Sequence, residues 1–365
     1  MKRKKILYVV EGFGGGVYTF MVQLANEMIK SYDITLAYSR RKETPSSINQ
    51  DFNKKIKLIE LNNSREINIA KDLKGFFIIR KLIKEEKPEV LHLHSSKAGF
   101  FGRIANRTVK GSKKRSVFYN PHGYSFLQTN ISKGKKIMFR TCEWIASKFG
   151  GTIIAVSEGE GKEARKLSKK VKVINNSINI SELNSFVIDN KNKDEKAELK
   201  IATLARICEQ KNPKLFNDIA KITNKQFTWI GDGDQRNLIE SENIEVTGWR
   251  QKEDGINILN NNDIFLLTSL WEGLPISLLE AMALRKVCIV TNVIGNKDVI
   301  INGKNGFIAN SKEEFQSIIE RLNNDRELYS KISNNAYKYV KENFNIKDMF
   351  ANYKNAYSNF QVYVN

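Results

Sequence analysis

The sequence predicts an α/β chain of two Rossmann-like domains, each built on a parallel sheet. Three observations carry that expectation. Short apolar, β-branched runs alternate with segments whose apolar residues recur at helical spacing, and they do so in both halves. The pattern restarts after a charged stretch without periodicity, DNKNKDEKAEL at 189–199, which reads as a linker. The 365 residues suit two domains of ordinary size. The expected division is 1–190, 198–345 and a closing helix over 346–365.

Composition narrows the classes. No run approaches the roughly 20 apolar residues of a membrane span. The N-terminus, MKRKKILYVV, is basic then apolar, which mimics a signal peptide. Its apolar run covers only Ile6 to Val10, short of the roughly 7–15 residues of a signal-peptide core, so a cytoplasmic protein is expected. Cys142, Cys208 and Cys288 lie far apart and form no C-x-x-C, so neither a disulfide framework nor a structural zinc site is indicated. The net charge of +20 has a compositional reading, a chain rich in Lys, Asn and Ile, and a functional one, an anionic partner. An acidic membrane surface is expected ahead of nucleic acid, because no zinc finger, RNP-type motif or basic heptad helix is present.

In the first half, ILYVV is a strand, EGFGGG a turn, and Val17, Phe20, Met21, Leu24, Ala25 and Met28 space as a helix. The turn lacks the third glycine of the dinucleotide pattern. Gly14, Gly15 and Gly16 either let the backbone approach a ligand closely or make a plain tight turn. DITLAY is the second strand, 40–70 is weakly patterned, and a helix around Leu73 to Lys84 leads into VLHLH, the third strand. His92 and His94 share one side of that strand. His92 reads as structural. His94 reads either way, as core or, with Lys97, as a ligand group at the strand's carboxyl end, where open α/β sheets bind. SVFYN is the next strand, and Pro121-His122-Gly123 holds His122 in a tight turn beyond it. Residues 131–149 predict a basic amphipathic helix with a stripe of Met138, Cys142, Ile145 and Phe149 and charge from Lys133, Lys135, Lys136, Arg140 and Lys148. It either docks on its own core or lies on anionic lipid with Trp144 at the interface.

In the second half, KIATLARI is a strand with Arg206 and Lys211 five residues apart across its end. Two such cations can clamp a diphosphate, Arg through forked donors and Lys as a point charge. FTWI ends in Gly231-Asp232-Gly233; Asp232 and Asp234 have too little acidic company for a metal site. IEVTGW is a further strand, and a helix follows around Glu253 to Asn260. The buried run IFLLT then opens TSLWEGLPISLLEAMALR, 268–285. Gly273 and Pro275 mark a turn, with Pro275 suited to the first helical position. Glu272 therefore sits in a loop at a strand's carboxyl end and Glu280 on the helix. Backbone N–H groups around Gly273, Leu274, Pro275 and Ile276 open a helix N-terminus that favours an anion such as a diphosphate. The two carboxylates accept hydrogen bonds from sugar and ribose hydroxyls. VCIVT and NGKNGFIA give two more strands, and three helices close the chain over 312–322, 326–341 and 346–360.

The stretch E-G-L-P-x-x-L-L-E-A-M-A, Glu272 to Ala283, resembles the retaining nucleotide-sugar glycosyltransferases of family 4. Their fold is GT-B, two Rossmann-like domains facing an interdomain cleft. The resemblance extends to H-x-H-x-S-K-x-G-x-x-G-R-x-A from His92, to Pro121-His122-Gly123, and to A-R-x-x-x-x-K-N from Ala205, and so covers nearly the whole chain. It departs at Ala205, where the family usually has Gly, at Ser177 and Asn179, where it has Gly and Asp, and at Asp298, where it often has Glu.

The resemblance implies transfer of a hexosyl or N-acetylhexosaminyl group from a nucleotide diphosphate sugar, UDP-linked by default, to a hydroxyl with retention. Arg206, Lys211 and the helix after Gly273 would hold the diphosphate, Glu280 the ribose, and Glu272 and His122 the sugar. Gly231 and Asp232 would lie beside the nucleotide, Gly15 and Gly16 beside the sugar phosphate, and His94 and Lys97 on the acceptor side. It implies no metal, no cofactor and no covalent nucleophile, the leaving phosphate serving as base. The acceptor expected is a polyprenyl-diphosphate-linked saccharide at the inner membrane face, for a capsule or O-antigen polymer. Three other readings remain: a relative that does not transfer, such as a UDP-sugar 2-epimerase; a non-catalytic sugar-binding scaffold; and a basic nucleic-acid-binding protein, which would bind with a steep salt dependence.

Overall fold

The computed structural model describes residues 3–61, 69–186 and 198–358, with 69–73 described by backbone alone. It forms two compact units, Met1–Asn175 with Asp348–Asn365, and Asn176–Lys347.

The first unit contains β1 (Lys5–Phe13), α1 (Gly15–Met28), β2 (Asp33–Arg40), α2 (Ile48–Asp51), β3 (Lys57–Leu61), α3 (Ile69–Glu86), β4 (Val90–His94), α4 (Ser96–Arg107), β5 (Ser116–Asn120), α5 (Lys133–Lys148), β6 (Thr152–Ala155), α6 (Glu158–Arg165) and β7 (Val171–Val173). Its seven strands run parallel in the order β3-β2-β1-β4-β5-β6-β7. Helices cover a parallel sheet on both faces, so its strands read as continuous apolar runs. β4 is buried at every position, and Leu7, Val9, Leu91, Leu93, Tyr119 and Ile153 join one core.

The second unit contains α7 (Ile180–Asn184), β8 (Ile201–Leu204), α8 (Pro213–Ile222), β9 (Phe227–Ile230), β10 (Ile244–Val246), α9 (Lys252–Asn260), β11 (Ile264–Leu267), α10 (Ile276–Ala283), β12 (Val287–Thr291), α11 (Asn296–Val299), β13 (Phe307–Ala309), α12 (Lys312–Asn324) and α13 (Arg326–Asn343). Its six parallel strands lie in the order β10-β9-β8-β11-β12-β13 around a core that includes Ile201, Phe216, Trp229, Leu266 and Ile319. The last helix, α14 (Ile346–Ser358), brings Tyr353 and Tyr357 into the core of the first unit.

Both sheets reverse their strand order once, between β1 and β4 and between β8 and β11. Ligands of open α/β sheets bind beyond the carboxyl ends of the strands at such a reversal. Most of the predicted site residues follow these four strands.

Three local features differ from the expectations. The weakly patterned region 40–70 contains a strand, β3, at the sheet edge. In KLIEL the charged and exposed positions are Lys57 and Glu60, three apart, so no period of two shows. β1 runs on to Phe13, and α1 starts at Gly15, so Gly15 and Gly16 form the first helical turn instead of a loop. The linker expected at 189–199 lies mostly outside the described residues. The units divide earlier, because Asn176 donates to the Leu274 carbonyl at 2.8 Å and Ile178 bridges Asn345, which ties 176–186 to the second unit.

Candidate active site

In the first unit, β4 and β5 are in register so that His94 lies opposite Asn120. The alternation of β4 sets His92 and His94 on one face, with ring centroids 4.1 Å apart. His92 is buried and satisfied on both sides, by the Tyr357 hydroxyl at 2.7 Å on Nδ1 and by Asn120 Oδ1 at 2.6 Å on Nε2. An amide oxygen only accepts, so Nε2 carries the proton and Nδ1 accepts from Tyr357. Burial pushes the His92 imidazole down to about 3, so it stays neutral.

His94 is fully buried beneath His122, with its Nδ1 2.9 Å from His122 Nε2. His94 Nε2 is buried and has no partner. An orphaned N–H is rarer in proteins than an orphaned acceptor. The proton of neutral His94 therefore belongs on Nδ1, which donates to His122 Nε2. His122 is neutral too, its pKa lowered to about 3 by burial. Its own proton must then sit on Nδ1, making that atom a hydrogen-bond donor. Phe20 of α1 packs edge-on against the His122 ring at 4.9 Å.

The backbone around these residues is strained. Ser95, directly after β4, and His122, just after β5, have φ of 74° and 55°. Left-handed conformations at non-glycine residues cost about 1–3 kcal/mol and cluster at functional sites. Lys97 is half-buried in the first turn of α4. α1 starts without a cap from its own N-cap residue; a Cβ at Gly15 or Gly16 would meet nothing within 4 Å, while one at Gly14 would meet the Glu43 side chain at 2.3 Å.

In the second unit, the segments after β8 and β11 meet. Lys211 Nζ lies 2.5 Å from Glu272 Oε1, with Glu272 buried and Lys211 half-buried. Gln210 donates to the Trp271 carbonyl at 3.0 Å and approaches Glu272 Oε2 at 3.4 Å, while Thr268 Oγ1 donates to the Lys211 carbonyl at 2.7 Å. Asn212, with φ of 51°, caps α8 through its side chain. Arg206 is half-buried in the same segment. α10 begins after Pro275 with no side-chain cap, so its first N–H groups are left for another acceptor. Gly273, Leu274 and Pro275 are buried just before it. Gly295 packs on this loop so closely that a Cβ there would lie 2.6 Å from the Gly273 carbonyl.

Gly231 has φ of 137°, and a Cβ on it would lie 2.2 Å from the Ala205 carbonyl, so only glycine lets β9 run beside the Arg206 segment. Asp232 is held by Arg236 at 3.0 Å and accepts from the Gly233 N–H at 2.8 Å. Glu280 is buried on α10, and burial raises its carboxyl to about 7. Among the described residues, no group of three or more His, Cys, Asp and Glu is placed to hold a metal ion.

The structure thus joins His94 to His122 and Lys211 to Glu272. Gln210, Phe20, Thr268, Asn120 and Tyr357 support these pairs, and the sequence reading singled out none of them. Each acts across a long sequence separation, so even Phe20, legible as a helical position, gave no sign of its contact with His122.

Two family models match the chain, "Glycosyltransferase Family 4" over residues 14–182 and "Glycosyl transferases group 1" over 184–339. A UDP-Gal:alpha-D-GlcNAc-diphosphoundecaprenol alpha-1,3-galactosyltransferase of Escherichia coli is 30% identical over 319 residues, 78% of this chain and 81% of that one. The capsular polysaccharide biosynthesis glycosyltransferase CapM of Staphylococcus aureus is 28% identical over 81% of this chain and 83% of its own length. The crystal structure of Anabaena HepE in complex with UDP has the same fold, with a TM-score of 0.76 over 97% of this chain and 99% of that one at 16% identity. With its two parallel sheets and this kinship, the chain belongs to glycosyltransferase family 4 and is a glycosyltransferase of the GT-B fold.

Proposed function

We propose that the protein transfers a hexosyl or N-acetylhexosaminyl unit from a UDP-linked sugar to a hydroxyl of a polyprenyl-diphosphate-linked saccharide. Transfer proceeds with retention and serves the synthesis of a cell-surface polysaccharide. The Lys211–Glu272 pair at the β8–β11 reversal carries this reading. An ammonium has three donors. One rests on Glu272, which leaves two for diphosphate oxygens, and the carboxylate keeps lone pairs for sugar hydroxyls. Arg206, Lys211 and the open N-terminus of α10 hold the diphosphate and stabilise its growing charge as the glycosidic bond breaks. That electrostatic work needs neither a metal nor a resident cofactor. The leaving phosphate takes the acceptor's proton as the new bond forms on the same face.

Glu280 accepts from the ribose hydroxyls, and Gly231 and Asp232 border the nucleotide. Gly15 and Gly16 border the sugar phosphate. His122 donates through Nδ1 to the transferred sugar, so it is not the base. Lys97 serves the acceptor side, and His94 acts through His122. The names of the E. coli and S. aureus relatives, with UDP-Gal, a diphosphoundecaprenol acceptor and a capsular polymer, support the donor, the acceptor class and the process. No helix among the described residues is long and apolar enough to cross a membrane. A lipid-linked acceptor would place the protein on the cytoplasmic side, as a peripheral enzyme of the inner membrane face.

Nucleotide release from a panel of UDP- and GDP-sugars, with and without membrane lipid extract and in EDTA, tests this. UDP release that needs one donor and the lipid extract, unaffected by EDTA, is the expected result. Release blocked by EDTA removes the metal-free mechanism. No release from any donor, beside strong salt-sensitive nucleic-acid binding, overturns the transferase assignment for this chain.

A further inference from the structure

We infer that α5 is the element that docks the protein on an anionic lipid bilayer. The inference deepens the lipid-linked acceptor reading above and rests on it for the identity of the surface.

α5 is turned inside out relative to an ordinary surface helix. Its acidic residue, Glu143, points into the core, where Arg103 Nη2 lies 3.0 Å away and the Tyr119 hydroxyl donates at 2.7 Å. Arg103 is itself fully buried, stacked 4.4 Å over the Tyr119 ring and bonded to the Gly99 carbonyl. Meanwhile Ile137, Met138, Trp144 and Ile145 are 66%, 46%, 48% and 40% exposed, four of the seven large apolar side chains left exposed among the described residues. Ile137, Thr141, Trp144 and Ile145 follow the i, i+4, i+7, i+8 spacing of a single helical face, and Met138 borders it. Of the stripe that could either dock on the core or lie on lipid, Met138, Cys142 and Ile145 are exposed and Phe149 is half-buried, so most of it does not dock on the protein's own core.

A buried ion pair is no better for stability than well-packed apolar side chains, but removing one partner is costly. The Arg103–Glu143 pair therefore fixes the rotation of α5. Turning the helix to bury its apolar stripe would strand Arg103 in the core.

The charges complete the surface. Glu143 is the only acid between Gln128 and Gly151, and it is neutralised inward. Lys133, Lys135 and Lys148 are exposed on the same helix, while Lys136 is half-buried and Arg140 lies 3.5 Å from Glu163 of α6. Lys148 Nζ lies 4.6 Å over the Trp144 ring, a cation beside an aromatic at the level of lipid headgroups. An apolar face with a tryptophan, on a helix with three exposed lysines and no outward acid of its own, complements an anionic interface.

Sedimentation with vesicles of phosphatidylcholine alone or mixed with phosphatidylglycerol tests the inference on the full chain. The wild type should bind the mixed vesicles, lose them as salt rises, and show a blue shift of Trp144 emission. Ile137→Glu with Trp144→Glu should weaken binding by roughly tenfold or more, and Lys133→Glu or Lys135→Glu by roughly fivefold each. These side chains are exposed, so the thermal transition should not move. Cys142 is the exposed cysteine of the three, and an environment-sensitive label on it should shift with the vesicles and not with nucleotide. Variants that bind as the wild type does overturn the inference. So does self-association through this face, seen as a concentration-dependent dimer that Ile137→Glu abolishes. A wild type that ignores vesicles yet transfers to a detergent-dispersed lipid acceptor sinks the docking and leaves the transferase reading intact. Vesicle binding lost in the variants, without transfer by any of them, supports the docking and sinks the transferase reading.

Discussion

At the scale of single residues, the two charge arrangements of the site make separate predictions. Lys211 is the partner of buried Glu272. Lys211→Met should lower kcat by about 10²–10³, the usual effect of losing one group that stabilises transition-state charge. It should also weaken UDP binding, measured by calorimetry, since the ammonium meets the diphosphate in the ground state as well. Unchanged kcat would remove Lys211 from the reaction. His94 predicts a spectroscopic signature. With its Nδ1 donating to His122, the His122 ring should be the Nδ1–H tautomer, readable from nitrogen chemical shifts. His94→Phe should release that tautomer and lower kcat by roughly tenfold, about the worth of one hydrogen bond. A His122 ring already protonated on Nε2 in the wild type would refute the assignment. Glu280 predicts a pH effect. Its carboxyl is raised from 4.5 to about 7, so between these values the folded chain holds a proton that the unfolded chain has lost. Stability must fall as pH rises through that window, with the full cost present above about 7. Glu280→Gln removes the term, and its stability relative to wild type should improve by roughly 3 kcal/mol between pH 4 and pH 8. At pH 8 the same variant should bind UDP more weakly, because a neutral amide replaces the ribose-accepting carboxylate.

At the scale of elements, the loops are placed by close backbone approach. Gly231→Ala would push a methyl to 2.2 Å from the Ala205 carbonyl, at a φ that no other residue adopts readily. A loss of about 2–4 kcal/mol is expected, seen in chemical denaturation, with reduced nucleotide binding because the Arg206–Lys211 segment must move. Ala tolerated there without cost would mean that β9 does not hold this segment. The sequence made β11, the Gly273–Pro275 turn and α10 legible, because a buried run, a turn signal and a helical run follow one another within 20 residues. It did not show that Lys211 touches Glu272, 61 residues away, since that contact depends on β8 and β11 being neighbours. Periodicity identifies strands but not their order. α5 teaches the same point about rotation. Its stripe was readable, yet which way it faces is set by Arg103, 40 residues before Glu143 and on a different helix.

At the scale of the whole molecule, the closing helix makes the first unit discontinuous in sequence. Tyr357 and Tyr353 of α14 are buried among β1, β4 and β5. Tyr357 bonds to His92 and, at 3.3 Å, to the Tyr8 hydroxyl, and Asn120 Nδ2 donates to Tyr353 at 3.1 Å. The first sheet thus finishes its core, and the support of His92 beside His94, with two tyrosines of α14. A chain ending at Asn345 would leave His92 and Asn120 without these partners and open a cavity the size of two tyrosine rings. Large-to-small changes at one buried aromatic cost about 3–5 kcal/mol. Amide exchange should then accelerate by roughly a hundredfold or more in β1, β4 and β5, while β8, β11 and β12 keep their protection. Equal acceleration in both sheets would mean that the units unfold as one. No acceleration in the first would mean that α14 adds nothing to the sheet that carries the histidines.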